Sequence, residues 1–242
     1  MTAPQSNSQP IVMHYDFNPA LVKFSGVGKN KKGGQIVYVK YGPDEQNLLL
    51  QTPAIDVPFG VSPYTDPKTG EVSYSLDISF RGADKDREIK DFQDRMTAFD
   101  NTLIQTGVDR SSDWFGKKMS KEFVGEVYRP LVKPAKDPSK YAPTMKVKII
   151  MRDGTALGTV FDENRRKADM DYVIKGSRVR LILEVASVWF VSKSFGVTWR
   201  LSQCLVVSRP ARLEGFAFNV PDAPVNFEDD DAPVDDEEAE PL

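Results

Sequence analysis

The chain has 242 residues, 40% of them hydrophobic, which suffices for one large folded domain or two small ones. No apolar run reaches the roughly 18 residues of a membrane span, and the first residues lack the pattern of a secretory signal. We therefore expect a soluble, intracellular protein without a membrane partner. The only histidine, His14, and the only cysteine, Cys204, exclude a disulfide framework and argue against zinc or histidine-based nucleophilic chemistry.

The net charge of −3 hides an uneven distribution of acidic residues. Residues 228–242 hold nine carboxylates and no Lys or Arg, and removing these nine from the total of 35 leaves 26 acidic against 32 basic residues. The first 227 residues therefore carry a net charge of +6, and we expect residues 213–242 to form a flexible acidic tail. Residues 1–10 are also predicted to be disordered. The tail carboxylates, which we expect to bind partner proteins, are Glu228, Asp229, Asp230, Asp231, Asp235, Asp236, Glu237, Glu238 and Glu240.

Short β-rich segments separated by Gly and Pro fill the first third of the chain, at residues 21–26, 35–41, 48–51, 55–61 and 72–80. Segments of this length and spacing predict a sandwich or a barrel. The loop after the first segment is either a basic finger or a solvated hairpin tip. Two aromatic residues in Pro- and Gly-rich surroundings either contact a ligand or close the core. These candidates are Lys29, Lys31, Lys32, Phe59 and Tyr64.

Helical periodicity replaces the β pattern in the middle of the chain. Apolar residues at steps of three and four over residues 84–106 predict an amphipathic helix whose aromatic stripe is core. A second helix, predicted around residues 113–127, would place Lys117, Lys118 and Lys121 on one arc. That positive ridge either contacts a polyanion or is an ordinary solvated helix face.

Two basic loops follow the helices. Four prolines in residues 129–143 rule out a helix and predict an extended loop, whose basic and aromatic residues would suit a sugar-phosphate backbone with one stacked base. These residues are Arg129, Lys133, Lys136, Lys140 and Tyr141. A later loop, after a predicted strand at residues 157–161, clusters three further candidates for contact with nucleic acid, namely Arg165, Arg166 and Lys167.

The longest apolar segments, residues 178–192 and 195–208, predict a β-hairpin around which the chain is organised. We expect Lys193-Ser194 to form its connection. The predicted core face of the second strand comprises Phe195, Val197, Trp199, Leu201, Leu205 and Val207, and Trp189 of the first strand is also predicted to be core. The candidate ligand contacts of the hairpin are Arg178, Arg180, Lys193 and Arg200, with solvated strand residues as the alternative for the first two.

The succession QTPAIDVPFGVSPY, YSLDISF, a helix-rich middle and VWFVSKSFGVTWRLSQCLVV resembles the single-stranded-DNA-binding replication proteins of large double-stranded DNA viruses, over about residues 35–208. The resemblance implies an OB-fold core, which is a five-stranded Greek-key barrel. The acidic end resembles the tails of phage and bacterial single-stranded-DNA-binding proteins, which implies recruitment of polymerase, primase or helicase. We thus predict a mostly β (α+β) chain: one OB-like domain at residues 11–212, with a two-helix insertion around residues 84–127.

No catalytic constellation emerges, so we predict a non-enzymatic protein without cofactor or metal. Its predicted function is to coat and protect unpaired DNA in replication, recombination or repair, with an acidic tail that competes with the DNA. One alternative is an acidic-tailed chaperone-like or structural virion or assembly protein that binds basic partners. A second is a subunit of a nucleic-acid-processing enzyme. Homo-oligomerisation stays open.

Overall fold

The computed structural model describes residues 10–211 and residue 218. Residues 1–210 form one unit and residues 211–242 a second, and every element described below belongs to the first. The predictions for residues 1–10 and for the tail at residues 213–242 fall almost entirely outside the described residues. Within residues 10–211, no helix combines the length and the apolar character that crossing a membrane requires.

The described residues form fourteen strands, three α-helices and two short 3-10 helices. The strands are β1 (Ile11–Met13), β2 (Val22–Lys29), β3 (Gln35–Tyr41), β4 (Leu49–Gln51), β5 (Ile55–Val57), β6 (Val61–Thr65), β7 (Val72–Ser79), β8 (Thr144–Ile149), β9 (Met151–Arg152), β10 (Thr155–Ala156), β11 (Thr159–Phe161), β12 (Lys167–Ala168), β13 (Ser177–Val191) and β14 (Ser194–Ser208). The helices are α1 (Arg87–Asp109), α2 (Ser111–Phe115) and α3 (Lys121–Val127), and the 3-10 helices are Pro19–Leu21 and Met170–Tyr172.

Five strands close into a barrel. β5 pairs with β7, β7 with β8, β8 with β14, β14 with β13, and β13 returns to β5. The β8–β14 pair is parallel and the others are antiparallel. In chain order these strands are the first, second, third, fifth and fourth around the barrel, which is a Greek-key arrangement. The predicted OB-like, mostly β fold with inserted helices is therefore confirmed.

The N-terminal strands extend the sheet outward from the long strand β13. β4 pairs with β13 at residues 182–184, and β3 pairs with it at residues 187–189. β2 pairs with β3, and β1, which the sequence pattern did not predict, pairs in parallel with β4. β13 is thus the strand that joins the barrel to this N-terminal layer.

The first predicted helix is confirmed as α1, and its apolar stripe is buried. Asp86 caps it, because its side chain accepts hydrogen bonds from the backbone N–H groups of Glu88 and Ile89 at 3.0 and 3.4 Å. The stripe packs against the core side of the barrel. The ring of Phe99 lies 6.0 Å from that of Trp199 on β14, edge to face.

The second predicted helix is wrong, because the chain breaks it into α2 and α3 and the insertion has three helices. Gly116 adopts a φ of +74° and ends α2. Ser120 then starts α3 by accepting a hydrogen bond from the backbone N–H of Phe123 at 3.3 Å. Lys117 and Lys118 lie in the turn between them and Lys121 is the first residue of α3, so the predicted lysine ridge does not form on a single helix.

The predicted hairpin is confirmed as β13 and β14, although its alternation and its turn differ from the prediction. Ile182 pairs with Gln203 and Leu183 with Leu201, so Ser202 is the extra residue of a β-bulge. A one-residue insertion reverses which side chains face the core. The core side chains beyond the bulge are therefore Cys204 and Val206, whereas Leu205 and Val207 face outward. The connection is Ser192-Lys193, with Ser192 at a φ of +54°.

His14 is buried beside α1, and within the described residues neither of its ring nitrogens has a hydrogen-bond partner. Burial lowers the pKa of His14, and Arg180 and Arg95 lower it further, whereas Glu88 and Asp91 raise it. Because the folded-state pKa lies below that of the unfolded chain, the unfolded chain takes up the proton first as pH falls.

We therefore expect the free energy of unfolding to fall as pH drops through the ordinary histidine range, by at most about 1.4 kcal/mol per pH unit. Urea titrations between about pH 7.5 and pH 5.5 would measure this loss. His14→Phe, which keeps an aromatic ring next to Phe92, should be less sensitive to pH over that interval. Equal pH dependence of the two proteins would contradict this account of His14.

Candidate nucleic-acid interface

A groove of about 450 Å³ opens on the outer side of the barrel, over β7, β8 and β14. Its walls come from β6, from the end of β13 and from the segment that follows α3. We call it the basic groove, and it is lined by Tyr64, Ser73, Tyr74, Ser75, Arg129, Pro130, Leu131, Lys133, Lys146, Lys148, Trp189, Val197, Thr198 and Trp199.

The charge of the basic groove is strongly one-sided, since its lining contains four cationic side chains and no carboxylate. Lys146 donates to Asp77, which lies next to the groove, at 3.0 Å. Among the described residues, the other three cations, Arg129, Lys133 and Lys148, form no ion pair with a carboxylate. The groove therefore holds fixed positive charge without an internal counter-charge, which suits a polyanion.

Strand alternation places two of these lysines. Lys146 and Lys148 on β8 are exposed, whereas the side chains between them, such as Val147, are buried in the barrel. Lys148 is directly opposite Ser75 on β7 in the antiparallel register. Both lysines consequently stand on the outer face of β8, the third barrel strand, next to β7, the second, and OB-folds bind oligonucleotides on the face of these two strands.

One buried carboxylate holds in place the wall of the groove that follows α3. This wall carries Arg129, Pro130, Leu131 and Lys133. Asp100 on α1 accepts hydrogen bonds from the Tyr128 hydroxyl at 2.6 Å, from Leu131 N–H at 3.0 Å and from Val132 N–H at 3.4 Å. Burial raises the pKa of Asp100, although these three hydrogen bonds oppose the shift, and burial beside Asp100 raises the pKa of Tyr128. The wall is pinned at its other end by Lys133 N–H, which donates to Thr144 O at 2.8 Å.

Trp189 supplies an aromatic surface to the groove, which corrects its prediction as a core residue. It is half-buried, and it pairs across the hairpin with Gly196. A Cβ atom at Gly196 would lie 2.7 Å from Cζ2 of Trp189, so the indole rests on a position that only glycine leaves free. Tyr64 on β6 offers a second aromatic side chain and is 61% exposed. Trp199, by contrast, is buried against Phe17 and Phe99, as predicted.

Of the residues proposed from the sequence, Tyr64, Arg129 and Lys133 line the basic groove. Lys29, Lys31 and Lys32 lie at the tip of the β2–β3 hairpin. Lys32 Nζ is 3.2 Å from a carboxylate oxygen of Glu71, which places this tip beside the β6–β7 turn. Lys193 lies in the β13–β14 turn.

Other proposed cations are held by acidic partners outside the groove. Arg200 is 3.0 Å from Glu184, and Arg178 is 3.6 Å from Asp56 and 3.4 Å from Asp86. Lys140 pairs with Asp137 at 3.1 Å. These ion pairs thus neutralise much of the positive charge that the three side chains carry.

The remaining proposed residues are distributed over other surfaces. Arg165 and Arg180 line a separate hollow, which is described below. Apart from the residues already named, the proposed residues that are exposed and do not line the basic groove are Phe59, Lys117, Lys118, Lys121, Lys136, Tyr141, Arg166 and Lys167. The tail carboxylates lie outside the described residues.

The sequence pattern missed several groove residues, namely Tyr74, Lys146, Lys148 and Trp189. The alternation in TMKVKII would have placed Lys146 and Lys148 on the solvent face. The glycine opposite Trp189 was a second signal, but it depends on the strand register, which the sequence alone did not supply.

In the part of the chain that the structure describes, side chains suited to metal binding or nucleophilic catalysis do not come together. There, no cluster of three or more His, Cys, Asp or Glu side chains is placed to hold a metal ion. Cys204 lies buried in β14, and desolvation raises the pKa of its thiol to about 12. A thiol with this pKa stays protonated near neutral pH and is a poor nucleophile.

Residues 77–219 match the model of a family of unknown function, DUF5871, and this match covers more than half of the chain. The chain belongs to this family. The DUF5871 region includes β8, β13 and β14 and therefore most of the basic groove. One relative is the uncharacterized protein L291 of Acanthamoeba polyphaga mimivirus, which is 27% identical over 165 residues, or 66% of this chain. The match spans only 26% of the mimivirus protein.

Two solved structures show distant likeness to this DUF5871 chain. One is the single-stranded DNA-binding protein of bacteriophage Enc34 in complex with ssDNA, with a TM-score of 0.42 and 13% identity, covering 79% of this chain and 98% of that one. The other is gp2.5, a single-stranded DNA binding protein encoded by bacteriophage T7, with a TM-score of 0.45 and 14% identity, covering 72% and 98%.

Proposed function

We propose that this chain binds single-stranded DNA in the basic groove. The observation that carries the proposal is the composition of the groove, whose lining combines four cations, exposed aromatic surface and no carboxylate. An unpaired strand needs positive charge along its phosphates and flat apolar faces for its bases. Both are present within one groove, and no catalytic residue is needed.

The geometry of the groove suggests how the DNA strand lies in it. Lys133 in the wall and Lys148 on the floor contact phosphates, and Trp189 and Tyr64 stack with bases. Such stacking tolerates any sequence, because every base has a π-face. A base that is paired inside a duplex cannot present this face, so we expect unpaired DNA to be preferred over double-stranded DNA.

A salt titration of oligo-dT affinity, measured by fluorescence anisotropy, tests this function. A single-strand binder loses log affinity with log salt at a slope of about −0.7 per neutralised phosphate. A steep negative slope and weaker binding of duplex competitor are expected. No binding near about 50 mM salt, even without residues 228–242, would reject the proposal and favour the chaperone-like alternative.

In the fuller form of the proposal, the protein coats and protects unpaired DNA during viral replication, recombination or repair. The acidic tail then competes with DNA for the cations of the basic groove, since nine carboxylates lie within fifteen residues. A flexible segment of about 30 residues spans roughly 30 Å, which is enough to cross a domain face. When DNA displaces the tail, the tail becomes available to a polymerase, primase or helicase.

Deleting residues 228–242 should therefore tighten single-strand binding at low salt, by about tenfold, and the difference should shrink as salt screens the competing charges. The matched control keeps the tail length but replaces its nine carboxylates by the corresponding amides. Both variants should bind oligo-dT with the same raised affinity. Unchanged affinity in both would reject the competition between tail and DNA.

A further inference from the structure

A second surface on the same hairpin combines apolar and cationic side chains. This hollow of about 290 Å³ is lined without any carboxylate, and its residues come from β4, β11, β13, β14 and the β11–β12 turn. We call it the outer platform and define it by Phe161, Arg165, Arg180, Ile182 and Leu205. None of these residues lines the basic groove.

The bulge at Ser202 builds the outer platform. Without the extra residue, the alternation of β14 would turn Leu205 toward the core and Cys204 outward. With it, Leu205 faces outward and is half-buried, between Arg180 on one neighbouring strand and Phe161 on the other. Bulges commonly re-aim side chains next to functional sites.

Cross-strand pairing sets the order of side chains across the platform. Phe161 pairs with Leu205 on one side and with Lys167 on the other, and Leu205 pairs with Arg180. Directly opposed residues share a face of the sheet. The resulting row, Lys167, Phe161, Leu205 and Arg180, has two apolar residues between two cations.

Arg165 adds a third cation on a well-defined turn. Asp162 accepts hydrogen bonds from the backbone N–H groups of Asn164 and Arg166 at 2.9 and 2.7 Å, which fixes the turn. Arg165 has a φ of +64°, a conformation that glycine and asparagine adopt more readily than arginine. Within the described residues, neither Arg165 nor Arg180 forms an ion pair with a carboxylate.

The outer platform and the basic groove lie on the same outward face of β14. Thr198 lines the groove and Leu205 lines the platform, seven residues further along the strand, so about 23 Å separates them. Arg200 lies between them and is neutralised by Glu184 at 3.0 Å. A DNA strand that leaves the basic groove and follows β14 reaches the outer platform without crossing an unpaired carboxylate of the hairpin.

From this continuity and this charge pattern, we infer that the outer platform is a second contact for the same single strand, where a base stacks on Phe161 and phosphates meet Arg165 and Arg180. The inference deepens the proposed function and depends on it. It predicts a binding site longer than the basic groove, within the roughly 4 to 16 nucleotides that one OB-fold covers.

The test compares oligo-dT of about 4 nucleotides, which is too short to bridge the groove and the platform, with oligo-dT of about 20 nucleotides. Arg165→Ala/Arg180→Ala should weaken binding of the long probe about tenfold and reduce its salt slope by about 1.4, with little effect on the short probe. Phe161→Leu, which keeps an apolar side chain but removes the π-face, should also weaken the long probe selectively. The control, Lys85→Ala/Arg87→Ala, removes two exposed charges near the start of α1 and should affect both probes equally.

Three outcomes are distinguishable. If the unmodified chain binds neither probe, the proposed function fails. If it binds both probes but the platform variants behave like the control, the second contact is overturned. An effect of the platform variants only on the capture of an acidic peptide would likewise overturn it, since the platform would then serve a protein partner.

Discussion

Lys133→Glu/Lys148→Glu should lower the affinity for oligo-dT by at least about 100-fold at about 100 mM salt. The two lysines stand on the wall and on the floor of the basic groove and have no carboxylate partner among the described residues. Reversing both charges removes two phosphate contacts and places repulsion where the strand must lie. Fluorescence anisotropy with a labelled oligo-dT measures the loss.

The matched control for this variant is Lys85→Glu/Arg87→Glu, which makes the same change in net charge on exposed residues at the N-terminal end of α1. It should weaken binding only slightly, through the long-range field of the protein. Both lysines of the groove are exposed, so thermal unfolding should be nearly unchanged in the groove variant. Similar losses in the two variants would mean that total charge, and not the groove, determines binding.

Asp100→Ala should reduce the free energy of unfolding by about 3 kcal/mol, because it leaves several buried donors without an acceptor. The donors are the Tyr128 hydroxyl and the N–H groups of Leu131 and Val132. This change also releases the wall that carries Arg129 and Lys133, so affinity for oligo-dT should fall as well. Urea unfolding and anisotropy on the same preparation measure the two effects.

Asp100→Asn separates the hydrogen bonds from the charge. The amide oxygen still accepts from a backbone N–H, so about half or more of the lost stability should be retained. Affinity for oligo-dT should return toward that of the unmodified chain, because the wall is again held in place. If Asp100→Ala and Asp100→Asn lower the free energy of unfolding equally and both bind oligo-dT like the unmodified chain, Asp100 does not position the wall.

Patterns with a strong period were predictable from the sequence. The stripe of α1 and the hairpin β13–β14 both emerged from the spacing of apolar residues, because burial against a core imposes that spacing. The failures came from single residues that change the local geometry. Gly116 broke a helix that the apolar spacing alone would have continued. The bulge at Ser202 reversed which of the later side chains of β14 face the core.

The candidate site was less predictable than the fold. Basic residues in loops dominate the sequence pattern, yet ion pairs such as Arg200 with Glu184 neutralise part of that charge in the structure. The groove instead depends on strand lysines and on Trp189, whose position follows from its register with Gly196. That register depends on which two residues form the hairpin turn, and the turn is Ser192-Lys193 where the sequence predicted Lys193-Ser194. The lysines come from β8, which is distant in the chain from this hairpin, so only the folded chain groups them with Trp189.

The most direct test of the basic groove is a photocrosslinking map of iodouracil-substituted oligo-dT on the full chain, read by peptide mass spectrometry. We predict that the main crosslinks fall on the aromatic residues of the groove, Tyr64, Tyr74 and Trp189, and disappear with excess unlabelled oligo-dT. Crosslinks that fall instead on the exposed side of α1, or that scatter over the surface without enrichment in the groove, would contradict the account.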